Sequence, residues 1–403
     1  MAQIFYDLFS SFGSCLNCFP GSPTLKINSR SFKILRLLGE GGFSYVYLVQ
    51  DISSPSELYA LKKIRCPFGA ESVAQAMKEV EAYKLFEYSK HIIHSIDYMI
   101  ANERGGDDEG KTVYVLLPYY RRGNLQDMIN ANLVNGTKMP ERKLMGLFRG
   151  VLEGVRDMHK YKGGGGGGER MVMGGEEGNM KKKRGVNGGA DDEEEEEQGR
   201  SLLTEDERSR GVRETGGKER SYAHRDIKPG NIMITDSGDE PILMDLGSVA
   251  VSPIPITNRS LAIATQDIAA EHSTMPYRAP ELFDVKTGTV IDTKVDIWSL
   301  GCTLYACLVG KSPFEMRSDE TGGSLSICVL SGDWRFPDEG QGAAPKGKQP
   351  VGGAAAPAAQ EISEPIRDVV RKCLAVEPSE RPDIDELIEL VDRVLEVLPE
   401  DSV

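Results

Sequence analysis

His224-Arg225-Asp226-Ile227-Lys228-Pro229-Gly230-Asn231, followed after a short apolar run by Asp245-Leu246-Gly247, is the stretch on which the reading of this chain turns. Moving a phosphoryl group demands little covalent help from a protein; it demands charge placed around phosphates and metal ions. In that chemistry Asp226 could orient an attacking hydroxyl and accept its proton, and Lys228 could neutralise the migrating group. Asn231 and Asp245 could hold magnesium. The spacing fits H-R-D-x-x-x-x-N with a D-x-G metal-binding turn behind it. A lone acid-rich loop is more often a solvated turn, but an eight-residue match with the second acid in place outweighs that reading.

Toward the N-terminus, Phe32 to Leu38 reads as a strand and leads into Gly39-Glu40-Gly41-Gly42-Phe43-Ser44-Tyr45-Val46. Glycines let backbone amides approach phosphate oxygens where a β-carbon would collide. Ser44 stands where G-x-G-x-x-G-x-V has its third glycine, so this loop is weak evidence alone. Tyr59-Ala60-Leu61-Lys62 follows at the spacing of the strand V-A-I-K. Taken in order, these motifs resemble those of eukaryotic protein kinases. The resemblance implies that Gly39 to Ser44, Val46 and Ala60 enclose ATP, and that Lys62 meets its α- and β-phosphates under the hold of a helix carboxylate. The amphipathic run Ser72 to Tyr88 offers Glu79 or Glu81 for that pairing, with Glu79 preferred. Val113 to Leu117 reads as a strand leading to Pro118-Tyr119-Tyr120 and Gly123. There a kinase hinge would receive the adenine through backbone groups, Leu117 guarding the back of the pocket.

On the C-terminal side, a helical pattern over Asn124 to Lys162 places Leu144, Leu147, Phe148, Val151, Leu152 and Val155 at core spacing. The resemblance puts Thr274, ahead of Ala279-Pro280-Glu281, where serine/threonine kinases have a hydroxyl bridging Asp226 and Lys228. It also implies that Asp296, in a buried helix, braces the catalytic loop and that Arg381 pairs with Glu281. Helical spacing resumes from Ile362 to Leu398.

The 403 residues carry a net charge of −14, which argues against a nucleic-acid partner, whose footprint is usually a basic patch. Part of that acidity is the single run Asp191 to Glu197. Seven scattered cysteines fit a reducing compartment rather than a disulfide framework. Two tracts break the pattern. Gly163 to Arg220 has six consecutive glycines and mixed charge runs, a composition that predicts a disordered insert. Asp338 to Gln360 is rich in Gly, Ala and Pro and reads as a flexible surface loop. At the start, Phe5, Leu8, Phe9, Phe12, Leu16 and Phe19 recur at helical steps and end at Cys15 and Cys18. This stripe reads as an interfacial helix whose cysteines are S-acylated, or as a helix docked on the body or an unstructured tail.

A narrower resemblance is to the acylated branch of the Numb-associated kinase family. It rests on Leu38 to Val46, Tyr222 to Asp226, Leu243-Met244-Asp245-Leu246-Gly247-Ser248 and Tyr277 to Phe283. It implies an α+β, two-lobed protein-kinase fold, with a small antiparallel-sheet N-lobe and a larger, mainly helical C-lobe. It also implies ATP and Mg2+ as cofactors, protein Ser/Thr substrates, and residence on the cytoplasmic face of Golgi, endosomal or vacuolar membranes with a cytosolic pool. The branch is typically myristoylated at a glycine after Met1; Ala2 departs from that and leaves palmitoylation of Cys15 and Cys18 as the anchor. The expected organisation is an acylation segment over 1–26 and a kinase domain over 27–398. The alternative is a tethered scaffold or adaptor without turnover, which ordinarily loses Lys62, Asp226, Asn231 or Asp245; all four are present.

The first 20 residues contain no Lys or Arg, so attraction to anionic lipid cannot hold them. One acyl chain gives marginal binding and two give stable anchoring. Cys15→Ser with Cys18→Ser is therefore expected to move the protein to the cytosolic fraction, with partial release for either single change. Retention of the double variant in the membrane pellet would dismiss the cysteines as the anchor.

Overall fold

The computed structural model describes residues 24–102, 110–162, 219–339 and 362–400. Strands β1 (Thr24–Ile27), β2 (Arg30–Glu40), β3 (Ser44–Asp51), β4 (Leu58–Cys66), β5 (Asp97–Asn102) and β6 (Lys111–Pro118) make one antiparallel sheet in the order β1-β2-β3-β4-β6-β5. Strand side chains alternate between faces. Leu116 of β6 joins Ile27, Phe32, Tyr47, Val49 and Leu61 on one face. Its neighbours Val113, Val115 and Leu117 join the core that takes Ala76, Val80 and Tyr83 from helix α1 (Gly69–Leu85).

The remainder is mainly helical: α2 (Leu125–Asn135), α3 (Glu141–His159), α4 (Arg259–His272), α5 (Lys294–Val309), α6 (Pro313–Thr321), α7 (Leu325–Ser331), α8 (Glu364–Cys373) and α9 (Ile384–Val397). Between α3 and α4 run the short strands β7 (Tyr161–Lys162), β8 (Glu219–Ala223), β9 (Ile232–Ile234), β10 (Pro241–Leu243) and β11 (Ala250–Ser252). The chain is thus α+β and two-lobed. Helix α5 is apolar nearly all round and buried from Val295 to Ala306, as a core helix should be. Its Trp298 stacks on Phe314 with centroids 5.2 Å apart.

A single apolar core runs from α1 through Ile92 and Ile93 into the helical part. The loop before Ile92 is held by paired backbone bonds, Ile93 N–H to Leu243 O and Leu243 N–H to His91 O, each 2.8 Å. This close approach needs glycine on α3: a β-carbon at Gly150 would sit 2.7 Å from Pro241, and one at Gly154 would sit 3.1 Å from His91. Where β7 and β8 meet, the rings of Tyr161 and Tyr222 lie edge to face at 5.6 Å, and both pack against Phe86.

The sheet begins at Thr24, three residues ahead of the expected domain start, and α1 begins at Gly69 rather than Ser72. The helical stretch expected over Asn124 to Lys162 is two helices ending at His159, because Gly136 and Pro140 divide it. Asp338, read as the start of a flexible loop, instead belongs to a fixed turn: Arg367 donates to both its carboxylate oxygens. The compositional bias that suggested a loop there starts after Glu339. Residues 340–360 of that tract, 163–218 of the insert, and the N-terminal stripe with Cys15 and Cys18 lie outside the described residues. Among the described residues no helix is long and apolar enough to cross a membrane.

Arg381 closes the base of the helical part. All five of its N–H groups are used, on Glu281 (2.7 and 2.9 Å) and on the carbonyls of Lys294, Ala375 and Val376, while its guanidinium lies over Trp298. Removing one partner of a buried ion pair leaves an uncompensated charge and costs about 3–5 kcal/mol. Glu281→Ala is expected to lower unfolding free energy by about that amount. Arg381→Lys should also destabilise, because an ammonium cannot reproduce the fork. Urea unfolding with an unchanged denaturant slope is the measurement; an unmoved midpoint for Glu281→Ala refutes the role.

Candidate active site

The loop joining β8 to β9 carries Asp226, Lys228 and Asn231. Asp245 follows β10, which pairs antiparallel with β9 so that Ile232 faces Leu243. The hairpin brings the two ends together, and Met244 N–H donates to Asn231 O at 2.9 Å. The loop owes its shape to a buried carboxylate. Asp296 Oδ2 accepts from His224 N–H at 2.7 Å and Oδ1 from Arg225 N–H at 2.8 Å, and the His159 ring lies 2.9 Å from Oδ2. Arg225 has φ of 70°, a left-handed conformation that costs a non-glycine residue about 1–3 kcal/mol unless its surroundings hold it. Burial pushes the Asp296 carboxyl up, but the His159 hydrogen bond and charge, with the Arg225 amide, outweigh it and hold it below the usual carboxylate range.

Four groups converge on Asp226. Thr274 donates its hydroxyl (2.7 Å) and its amide (2.9 Å) to Oδ1. Lys228 Nζ bonds Oδ2 at 2.7 Å and Thr274 Oγ1 at 2.6 Å. Asn231 Nδ2 donates to the Asp226 carbonyl (2.9 Å) and Oδ2 (3.1 Å). With its nitrogen committed to Asp226, the Asn231 amide directs its oxygen elsewhere. That oxygen and the Asp245 carboxylate are hard donors of the kind magnesium takes, so the residues present fit such an ion.

On the sheet side, register sets Gly39 opposite Val46, Val46 opposite Lys62, and Lys62 opposite Val115. Ala60 lies opposite the buried Leu117, and Tyr59 opposite Pro118. Tyr119 and Tyr120 follow, half-buried. The loop Glu40 to Phe43 turns over with Gly41 N–H donating to Ser44 O at 2.8 Å. Lys62 Nζ sits 2.7 Å from Glu79 Oε1 on α1 and 2.9 Å from Asp245 Oδ1. Glu79, not Glu81, is the helix partner. Burial disfavours the ammonium, but the Glu79 and Asp245 carboxylates outweigh it and raise the Lys62 pKa. The Lys62 charge in turn holds the Asp245 carboxyl down against its own burial.

Two participants, Tyr83 and helix α4, are not marked by the sequence motifs, and His224, part of the motif, gains a contact the motif does not specify. Tyr83 donates its hydroxyl to Glu79; it lies four residues on, one helical turn, and that spacing was a usable signal. The His224 ring contacts Met244 O at 3.0 Å, tying the catalytic loop to the strand before Asp245. Helix α4 stands in the segment after Asp245, capped by the Asn258 side chain and fastened where Ser248 donates to His272 O at 2.8 Å.

The chain matches the protein kinase domain family over residues 32–162 and 218–390. It is 34% identical to serine/threonine-protein kinase ENV7 of Saccharomyces cerevisiae, over 97% of this chain and 99% of that one. It is 33% identical to serine/threonine-protein kinase ppk13 of Schizosaccharomyces pombe over 91% of each chain. Human serine/threonine-protein kinase 16 is 28% identical over 92% of each.

Asp245→Asn keeps the side-chain volume while removing an anionic oxygen donor and one of the two counter-charges of Lys62. It is expected to cut magnesium-dependent phosphoryl transfer at least 100-fold, on the order of a positioned electrostatic group, and Lys62→Arg should cripple it by misplacing the phosphates. Full autophosphorylation by the Asp245→Asn protein would remove the metal role.

Proposed function

The chain belongs to the protein kinase family, and we propose that it is a serine/threonine protein kinase transferring the ATP γ-phosphate to protein hydroxyls. The observation that carries this is the bridge from Thr274 to both Asp226 and Lys228, a hydroxyl-bearing arrangement suited to an aliphatic acceptor. The names of the relatives point the same way.

In this reading the acceptor hydroxyl enters beside Asp226 and gives its proton to that carboxylate as its oxygen bonds to phosphorus. The bond to the ADP oxygen breaks at the same centre. Lys228 offsets charge on the moving phosphoryl, and Lys62 orients the phosphates left behind. Magnesium, when bound, would be held by Asn231 and Asp245 and would neutralise charge between the β- and γ-phosphates. Lys228, in hydrogen-bond contact with Asp226, keeps that carboxylate oriented until a hydroxyl arrives.

The proposal extends to place. The aromatic stripe ending at Cys15 and Cys18, and the kinship to an acylated branch, support work on the cytoplasmic face of an internal membrane linked to Golgi, endosome or vacuole traffic.

The test is a peptide library with Ser, Thr and Tyr acceptors, purified full-length protein and magnesium ATP. Phosphate is expected on Ser and Thr and absent from Tyr. Loss of the acid–base group costs about 10²–10⁴-fold, and Asp226→Asn should fall by that much. Transfer to Tyr, or a fully active Asp226→Asn protein, defeats the assignment.

A further inference from the structure

Phe43 and Phe68 are 54% and 72% exposed, and neither belongs to either apolar core, yet their rings touch. The centroids are 6.2 Å apart with planes at 74°, an edge-to-face arrangement that aromatic quadrupoles favour. Phe43 is at the tip of the glycine-rich loop and Phe68 is the N-cap residue of α1. Each is set in place by its own backbone. Arg65 N–H donates to Phe43 O at 2.8 Å, and Phe68 N–H donates to Ser72 Oγ in the helix's first turn at 2.9 Å. Phe68 therefore moves with α1, and α1 carries Glu79.

Two exposed rings in contact contribute little to the stability of the body, since neither is withdrawn from water into a core. The contact matters instead to the loop. Gly39, Gly41 and Gly42 offer no side chains for anchoring, which leaves Phe43 as the bulkiest side chain by which the loop can hold a neighbour. We propose that Phe68 is a positioning residue for ATP: through Phe43 it holds the glycine-rich loop closed over the phosphates when α1 has brought Glu79 to Lys62. The contact makes closure of the loop depend on the same helix position that forms the ion pair. Nucleotide affinity and the placement of Lys62 then rise and fall together. This inference rests on the ATP-binding reading proposed above.

An edge-to-face pair is equivalent to about a two- to tenfold change in an equilibrium constant. The experiment compares wild type with Phe68→Ala, Phe43→Ala, the double variant and Phe68→Tyr, using full-length protein, magnesium ATP and the best library peptide. Phe68→Ala is expected to raise KM for ATP about two- to tenfold, with kcat within about twofold and KM for the peptide unchanged, and Phe43→Ala to raise KM for ATP at least as much. The double variant should be no worse than the poorer single one, because both remove the same contact. Phe68→Tyr keeps the ring edge, points its hydroxyl into water, and should match wild type. An unchanged KM for ATP in Phe68→Ala overturns the proposal. So do additive effects in the double variant, a fall in kcat at constant KM, and a Phe68→Tyr protein as impaired as Phe68→Ala. If wild type binds magnesium ATP but transfers nothing, the transfer reading fails in wild type itself. The same pattern is then required of the nucleotide dissociation constants, so the two failures are told apart.

Discussion

One ammonium group holds the catalytic half of this protein in register. Lys62 reaches from the sheet to Glu79 on α1 and to Asp245 on the turn after β10, at 2.7 and 2.9 Å. Three separate elements share that cation, so none of them can shift alone without leaving a charge unpaired beside the buried Glu79 and the half-buried Asp245. Glu79, buried, needs the cation most, because only the Tyr83 hydroxyl would otherwise offset its desolvation. Tyr83 supports Glu79 from one turn away and restricts where the helix can place it. The geometry of the phosphate site is thus a property of α1's position as much as of the residues that would touch a nucleotide.

A second set of buried charges does the same for the acceptor side. Asp296 binds the backbone of His224 and Arg225, and Arg381 binds Glu281 and three carbonyls around it. Neither group would touch substrate. Both fix chain segments that have little secondary structure of their own, where apolar packing specifies position less sharply than directed hydrogen bonds do. Helix α5, buried along most of its length, supplies Asp296 and, through Trp298, the platform for Arg381.

The loop from His224 to Asn231 and Lys62 were legible in the sequence because each couples unusual chemistry to a fixed spacing, and the strand before Pro118 because of its apolar run. Glu79 and Glu81 were both open from the sequence; Glu79 is the buried one and the one that reaches Lys62. What stayed hidden depended on contacts between distant segments. Nothing in the spacing of Phe43 and Phe68 announces that a loop tip meets a helix start. The bonds that make Asp338 part of a turn come from Arg367, on the far side of a low-complexity tract whose composition dominated the reading. Helix α4 has a visible capping asparagine, Asn258, but buries only Ala262, Thr265 and Ala269, too slight a stripe to stand out by periodicity.

The edge-to-face meeting of Tyr161 and Tyr222 bears on how such a protein can change over evolutionary time. These rings, seated on Phe86, mark the exit and return of the chain at one point on the body. The entropy of closing a loop grows only with the logarithm of its length, so each doubling adds about 0.6 kcal/mol. With both ends already fastened, stability is nearly indifferent to how much sequence intervenes. Lengthening there escapes the selection that polices the core. Lineages can therefore trade one intervening sequence for another, testing new binding or modification motifs on an unaltered catalytic body.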